Sequence, residues 1–231
     1  MLLNIPKHKN ILFQILKDIY SDTRISPFLG FKGGTAAYMF YDLSRFSVDL
    51  DFDLLNVDEE ENVFSRVEDI VKKYGQVKES RMKRYNLFFL LSYGEKAQNI
   101  KVEINRRSFS SEYELKTSLG VSMLVMNKDD MFAHKLMAMY ERMGKSNRDI
   151  YDVWFFLKNN WSINKKIVID RSEVSFSSFL NKCIVALEKF ENRKILSGMG
   201  ELLDQKQKVW VKEHLKEDTI FLLRLLLDAE K

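Results

Sequence analysis

Beyond Asn127 the apolar residues of this chain recur at helical spacing to the C-terminus, whereas the segments with strand-like alternation all lie before that point. Periods of 3.6 and 2 bury different faces, so this segregation restricts the fold to a mixed α/β part followed by a helical part. The expected division is 1–126 and 127–231, with no flexible linker at the boundary. In the first part, Ile11, Leu12, Ile15, Leu16 and Ile19 predict an amphipathic helix from about Lys9 to Tyr20. Further helices are expected over Thr35–Leu43 and Glu59–Tyr74, the latter ended by Gly75. Strands are expected over Ser47–Leu54, Val77–Arg84, Tyr85–Tyr93, Ile100–Asn105 and Val121–Met126, with a Gly94-Glu95-Lys96 turn ahead of the fourth. The helical part has weak breaks near Gly144, from Asn159 to Asn164 and around Ser197 to Gly200.

Two prolines and nine glycines in 231 residues leave helices uninterrupted, and 45% apolar content supplies a core. The single cysteine, Cys183, excludes an intrachain disulfide and fits a reducing compartment, where a buried position on a helix is expected. No run approaches the roughly 18 apolar residues of a membrane span, and the opening MLLNIPKHKN lacks a signal-peptide layout. A soluble, cytoplasmic protein without a membrane partner is expected. The net charge of +4 permits a nucleic-acid partner without demanding one.

The chemistry-bearing residues begin in FKGGTAAYMFYDLSRFSVDLDFDL, from Phe31 to Leu54. Asp49, Asp51 and Asp53 alternate with Val48, Leu50 and Phe52, so a strand here presents carboxylates opposite its apolar face. Such neighbours repel unless a cation neutralises them, and Mg²⁺ takes one or two carboxylates with phosphate and water oxygens completing its shell. Gly33 and Gly34 allow close approach to a phosphate, and Thr35 is placed to cap the following helix. A solvent-facing edge strand with acidic decoration has the same pattern. Glu103, in IKVEIN, projects opposite to Val102 and Ile104. It suits a third metal ligand, a general base, or a surface glutamate paired with Arg106 or Arg107.

In NKDDMFAHKLMAMYERMGKSNRDIYDVWFFL, a helix with the stripe Phe132, Leu136, Met139 and Met143 carries Lys135 and Arg142 at its border. Two cations there suit a triphosphate. The next helix carries Arg148, Asp149 and Asp152, with Arg148 and Asp152 as i,i+4 partners. A helical hairpin with ordinary salt bridges reads the same way, although a border lysine without a counter-ion is costly. His8, His134 and His214 are too scattered for a metal cluster, and G-x-S-x-G, Walker A and G-x-G-x-x-G motifs are absent.

Together, GGTAAYMFYDLSRFSVDLDF and KLMAMYERMGKSNRDIYDVW resemble the motifs of the AbiEii/AbiGii toxin family of nucleotidyltransferases, within the DNA-polymerase-β-like superfamily. Arg45, Ser47, Asp49, Asp51 and Phe52 match its R-x-S-x-D-x-D-F strand, and Lys135, Arg142, Arg148, Asp149 and Asp152 match its later helical block. KVEIN looks like the strand between them, and residues beyond Leu157 carry no matching motif. The resemblance implies an α+β fold, with a nucleotidyltransferase-type mixed β-sheet flanked by helices and an α-helical C-terminal domain. It implies NTP as substrate, Mg²⁺ or Mn²⁺ as cofactor, and the toxin role in a bacterial toxin–antitoxin or abortive-infection module with a cognate antitoxin. Some relatives add nucleotides to tRNA 3′ ends, so an RNA acceptor is expected. Small-molecule or protein hydroxyls, or an inactive interaction protein of the same fold, are the alternatives.

Carried over by that resemblance, Gly33, Gly34 and Thr35 hold the triphosphate, and Arg45, Ser47, Arg148 and Asp149 also serve the nucleotide. Asp49, Asp51 and Glu103 are the metal and catalytic carboxylates. Lys135 contacts phosphate or the transferred group, oriented by Asp149 and Asp152, and Asp53 becomes peripheral. The basic residues Lys78, Arg81, Lys83, Arg84, Arg106 and Arg107 favour a polyanionic acceptor.

Overall fold

A computed structural model describes residues 4–94 and 98–230, so Glu95 and Lys96 of the expected turn lie outside the described residues. The chain divides into two compact units, Met1–Asn127 and Lys128–Lys231.

The first unit is built on a seven-stranded mixed sheet. Its strands are β1 (Leu29–Lys32), β2 (Leu50–Leu54), β3 (Gln76–Met82), β4 (Asn86–Ser92), β5 (Ile100–Asn105), β6 (Tyr113–Ser118) and β7 (Val121–Met126), in the order β3-β4-β5-β2-β1-β7-β6. β2 runs parallel to β5 and antiparallel to β1, and β1 runs parallel to β7. Helix α1 (Ile5–Ser21) opens the unit, with the Asn4 side chain accepting the Lys7 N–H and Pro6 in the first turn. Helices α2 (Gly33–Phe40) and α3 (Glu60–Lys72) follow.

One face of the sheet is apolar because Phe52, Phe89, Leu87, Val102 and Ile104 occupy alternate positions on adjacent strands, and all are buried. Tyr20 of α1 lies against Phe52, and Phe64 of α3 packs on Phe89 with ring centres 5.0 Å apart. The opposite face is polar on β2 and β5, while β4 adds Phe88 and Leu90 to it beside Asn86. Two strands have no counterpart in the hydrophobic pattern. β1 is four residues long and contains Gly30, and β6, YELKTS, is a polar strand at the sheet edge. The acidic strand also begins later than its alternation suggests, at Leu50 rather than Ser47.

The second unit is helical: α4 (Lys128–Arg142), α5 (Arg148–Lys158), α6 (Lys165–Ser172), α7 (Phe176–Lys189), α8 (Gln205–Trp210) and α9 (Lys216–Asp228), with a π-helical turn joining the last two. Phe132, Leu136, Met139, Val153, Phe156 and Leu180 are fully or almost fully buried, and Trp161 stacks on Phe156 at 4.0 Å. The α4–α5 connection turns at Gly144 (φ +84°) and is pinned by buried Asn147, whose amide oxygen accepts the Gly144 N–H. A break at Glu173, which takes φ +57°, is invisible in the apolar spacing. Cys183 is buried on α7, and burial pushes its thiol up to about 12. Among the described residues no helix is long and apolar enough to cross a membrane. The fold is α+β, a mixed sheet with flanking helices and C-terminal helices.

Candidate active site

The Gly-Gly turn is pressed against the acidic strand. Gly33 takes φ +79°, and a Cβ there would lie 2.7 Å from Asp51 Oδ2. A Cβ on Gly34 would meet Ser47 Oγ at 2.8 Å and Arg45 Nη2 at 2.9 Å. Arg45 is almost completely buried, donating from Nη1 to the Phe46 carbonyl, and Ser47 is buried beside it. Both side chains therefore sit beneath the turn. Thr35 does not cap α2. The cap position belongs to Lys32 and has no side-chain hydrogen bond, while the Thr35 hydroxyl, inside the first turn, donates to the Asp49 carbonyl. That bond ties the helix start to the residue just ahead of β2.

The parallel pairing of β2 with β5 sets Asp51 opposite Glu103 and Asp53 opposite Asn105. Asp51, Asp53, Lys101, Glu103 and Asn105 thus share the polar face. Asp49, one residue ahead of the strand, reaches the same region, with its Oδ2 3.6 Å from Lys101 Nζ. Glu103 Oε2 lies 3.2 Å from the same ammonium, and its Oε1 accepts from Asn86 Nδ2. Neither Arg106 nor Arg107 is the partner of Glu103: Arg106 pairs with Glu60, and Arg107 donates to Asn105 Oδ1. Asp53 is buried and occupied by Lys32, by Tyr113 Oη at 2.6 Å and by Asn105 Nδ2 at 2.7 Å.

Among the described residues no three His, Cys, Asp or Glu side chains are gathered to hold a metal ion. Asp49, Asp51 and Glu103 are consequently not a closed cage, because Glu103 is engaged by Asn86 and Lys101. The donor set still fits a hard divalent cation, since Asp49 and Asp51 offer carboxylate oxygens two residues apart and a cation, the Lys101 ammonium, is drawn to this face. His8 anchors the residue before Asp49. It is buried, its Nε2 donates to the Val48 carbonyl at 3.0 Å, and its Nδ1 accepts from Tyr93 Oη at 2.8 Å. Burial lowers its pKa below the usual histidine value, so this arrangement holds a neutral ring.

In the second unit, Lys135 of α4 is clasped by two carboxylates of α5. Its Nζ lies 2.8 Å from Asp149 Oδ1 and 2.8 Å from Asp152 Oδ2, and both aspartates are completely buried. Arg142 Nε stands 3.6 Å from Asp149 Oδ2, which makes no hydrogen bond. Arg148 is the first residue of α5 and is half-buried. The border lysine therefore has its counter-ions.

The family model described as the nucleotidyl transferase AbiEii toxin of type IV toxin–antitoxin systems matches residues 14–213. The chain belongs to the AbiEii family. The fold of this AbiEii-family chain is similar to the crystal structure of an H. pylori protein assigned as a nucleotidyltransferase, at 21% identity and a TM-score of 0.64, covering 97% of this chain and 95% of that one. It is similar also to JHP933 from Helicobacter pylori, at 18% identity and a TM-score of 0.61, covering 99% of this chain and 94% of that one. No curated protein matches the sequence.

Several residues around the AbiEii acidic strand have no precedent in the motif reading. Lys101, Asn86, Lys32 and Tyr113 supply the cation and the donors that hold the carboxylates. Lys101 was within reach of the alternation rule, because it stands two residues before Glu103 and so shares its face. Lys32, Asn86 and Tyr113 depend on pairing between distant strands, which spacing alone does not convey.

Proposed function

We propose that this chain is the nucleotidyltransferase toxin of a type IV toxin–antitoxin module and transfers NMP from NTP to an RNA, tRNA-like, acceptor. The observation that carries the reading is the carboxylate-rich face of β2 and β5 set directly against the Gly33-Gly34 turn at the start of a helix. Helix N-termini and glycine turns favour phosphate, and paired carboxylates favour the cation that accompanies a triphosphate. Asp49 and Asp51 would hold Mg²⁺ or Mn²⁺, with Glu103 nearby. Such a cation neutralises the developing charge on the transferred phosphoryl group.

The chain's own residues have separate tasks. The first-turn amides of α2 face the triphosphate, Thr35 holds Asp49 by its carbonyl, and Arg45 and Ser47 shape the turn from below. Glu103, fixed by Asn86, accepts the proton of the acceptor hydroxyl as its oxygen bonds to the α-phosphorus and pyrophosphate departs. For Lys135 we propose contact with phosphate or the transferred group, with Asp149 and Asp152 setting its position and Arg148 serving the nucleotide. A cognate antitoxin and a cytoplasmic location belong to the same proposal.

Incubation with each labelled NTP, Mg²⁺ and total cellular RNA tests it. RNA labelling by the wild type and its loss in Asp51→Asn are expected. Label confined to small molecules or to protein overturns the RNA acceptor.

A further inference from the structure

The first unit carries a cluster that the transfer chemistry does not use. Where β5 ends and the β3–β4 hairpin turns, four planar side chains follow one another. The Arg84 guanidinium lies 5.0 Å from the Tyr85 ring centre, the Arg107 guanidinium 5.3 Å from the same ring, and Arg107 again 5.3 Å from the ring of Phe109. Lys83 Nζ sits 3.5 Å above the Phe88 ring beside them. Tyr85 is 49% exposed, and its backbone is firmly held.

That backbone is held by Arg106. Its N–H donates to the Tyr85 carbonyl and its Nη1 to the Lys83 carbonyl, each at 2.9 Å, while its Nη2 pairs with Glu60 of α3. Lys83 N–H also donates to the Asn86 carbonyl at 2.8 Å. Arg107 is oriented by Asn105, which accepts from its Nε and donates to its carbonyl. Asn105 in turn bonds Asp53 of the acidic strand. The cluster is thus rigid at its base and exposed at its tip, and it is coupled to β2.

We propose that Arg84, Tyr85, Arg107 and Phe109 form a stacking platform for single-stranded RNA, over which the acceptor strand runs as it approaches the carboxylates. This rests on the RNA-acceptor reading above. Bases stack on aromatic rings and on guanidinium planes, and the same arginines neutralise phosphates, so alternating planar cations and rings match a single strand on both counts. An acidic peptide matches only the charge. Lys83 and Arg106 are already committed to Glu79 and Glu60, whereas the guanidiniums of Arg84 and Arg107 are set against rings. Arg107 stands four residues beyond Glu103, roughly 13 Å along an extended chain. A strand ending at the carboxylates has its preceding nucleotides within reach of the ladder.

The test is fluorescence anisotropy with a labelled single-stranded oligoribonucleotide and no NTP, so that binding is read apart from transfer. Tyr85→Ala is expected to weaken binding about tenfold, within the range for loss of one base stack, and Tyr85→Phe to bind within about threefold of wild type. Arg84→Ala with Arg107→Ala should lower the salt-dependence slope by about 1.4. Circular dichroism establishes that each variant is folded, and Tyr85→Phe keeps the result readable if the alanine variant is not. Unchanged binding in Tyr85→Ala, or competition by poly-glutamate equal to that by RNA, overturns the platform. Absence of RNA labelling together with intact Tyr85-dependent binding overturns the transfer reading and leaves the platform standing.

Discussion

Two clusters of charge, one in each unit, solve opposite problems. On the β2–β5 face the Lys101 ammonium stands 3.2 Å from Glu103 and 3.6 Å from Asp49, with Asp51 opposite Glu103 on the same face. In the helical unit one ammonium, that of Lys135, is held at 2.8 Å by each of two fully buried carboxylates, with Arg142 further out. The first set is partly open to solvent at Glu103, as the proposed cation site requires. The second is closed around its lysine, and the low dielectric around it makes each member depend on the others. A count of acidic and basic residues would treat the two alike.

The sharpest way to break this contrast is Lys135→Met. Two buried aspartates would lose their ammonium, and an expected loss of about 3–5 kcal/mol follows from stranding buried charge. Chemical denaturation followed by tryptophan fluorescence measures it. Adding Asp149→Asn and Asp152→Asn to Lys135→Met should recover most of the loss; a single variant as stable as wild type would show that the cluster is not closed. Next in size, Gly33→Ala forces a side chain into a positive-φ site 2.7 Å from Asp51 Oδ2, and about 1–3 kcal/mol of destabilisation is expected from a thermal melt.

Lys101→Met sharpens the comparison from the other side. Removing the resident ammonium should raise Mn²⁺ affinity about tenfold, as expected for a partly screened unit charge at this range, with little change in stability. Titration of free Mn²⁺ by electron paramagnetic resonance reads this without any acceptor, and weaker metal binding would show that Lys101 supports the site rather than competing for it. The smallest effect concerns His8. Above pH 6.5 the ring is neutral in both folded and unfolded chains. Between 6.5 and the lowered folded value, the unfolded chain takes up a proton that the folded one refuses, so stability falls as pH falls through that window and levels off beneath it. His8→Gln should remove that part of the pH slope in denaturation curves, and an unchanged slope would remove His8 from the account.

Much of this was legible from spacing. The alternation of Val102 and Ile104 with Glu103 placed a strand where β5 lies, and the Phe132, Leu136 and Met139 stripe placed α4. What spacing did not carry were effects set by partners far along the chain. β1 has too few residues for a pattern, and β6 buries so little that its sequence stays polar. Thr35 has the residue type of a cap, but its hydroxyl goes to the Asp49 carbonyl. Asp53 shares the alternation of Asp49 and Asp51, yet Lys32, Tyr113 and Asn105 consume it.

The position of β1 has a consequence for synthesis. This strand precedes the other six in sequence but lies inside the sheet, between β2 and β7, and its parallel neighbour β7 is the last strand of the unit to be made. A nascent chain halted before Val121 therefore exposes one edge of β1, and the Tyr113 ring, which lies over Gly30 and reaches Asp53, has no completed sheet to close against. Non-local pairing of this kind is slow to form. Translation must pass almost the whole first unit before the acidic strand rests in its finished sheet, so a truncated product would carry the acidic motif without the frame that holds it.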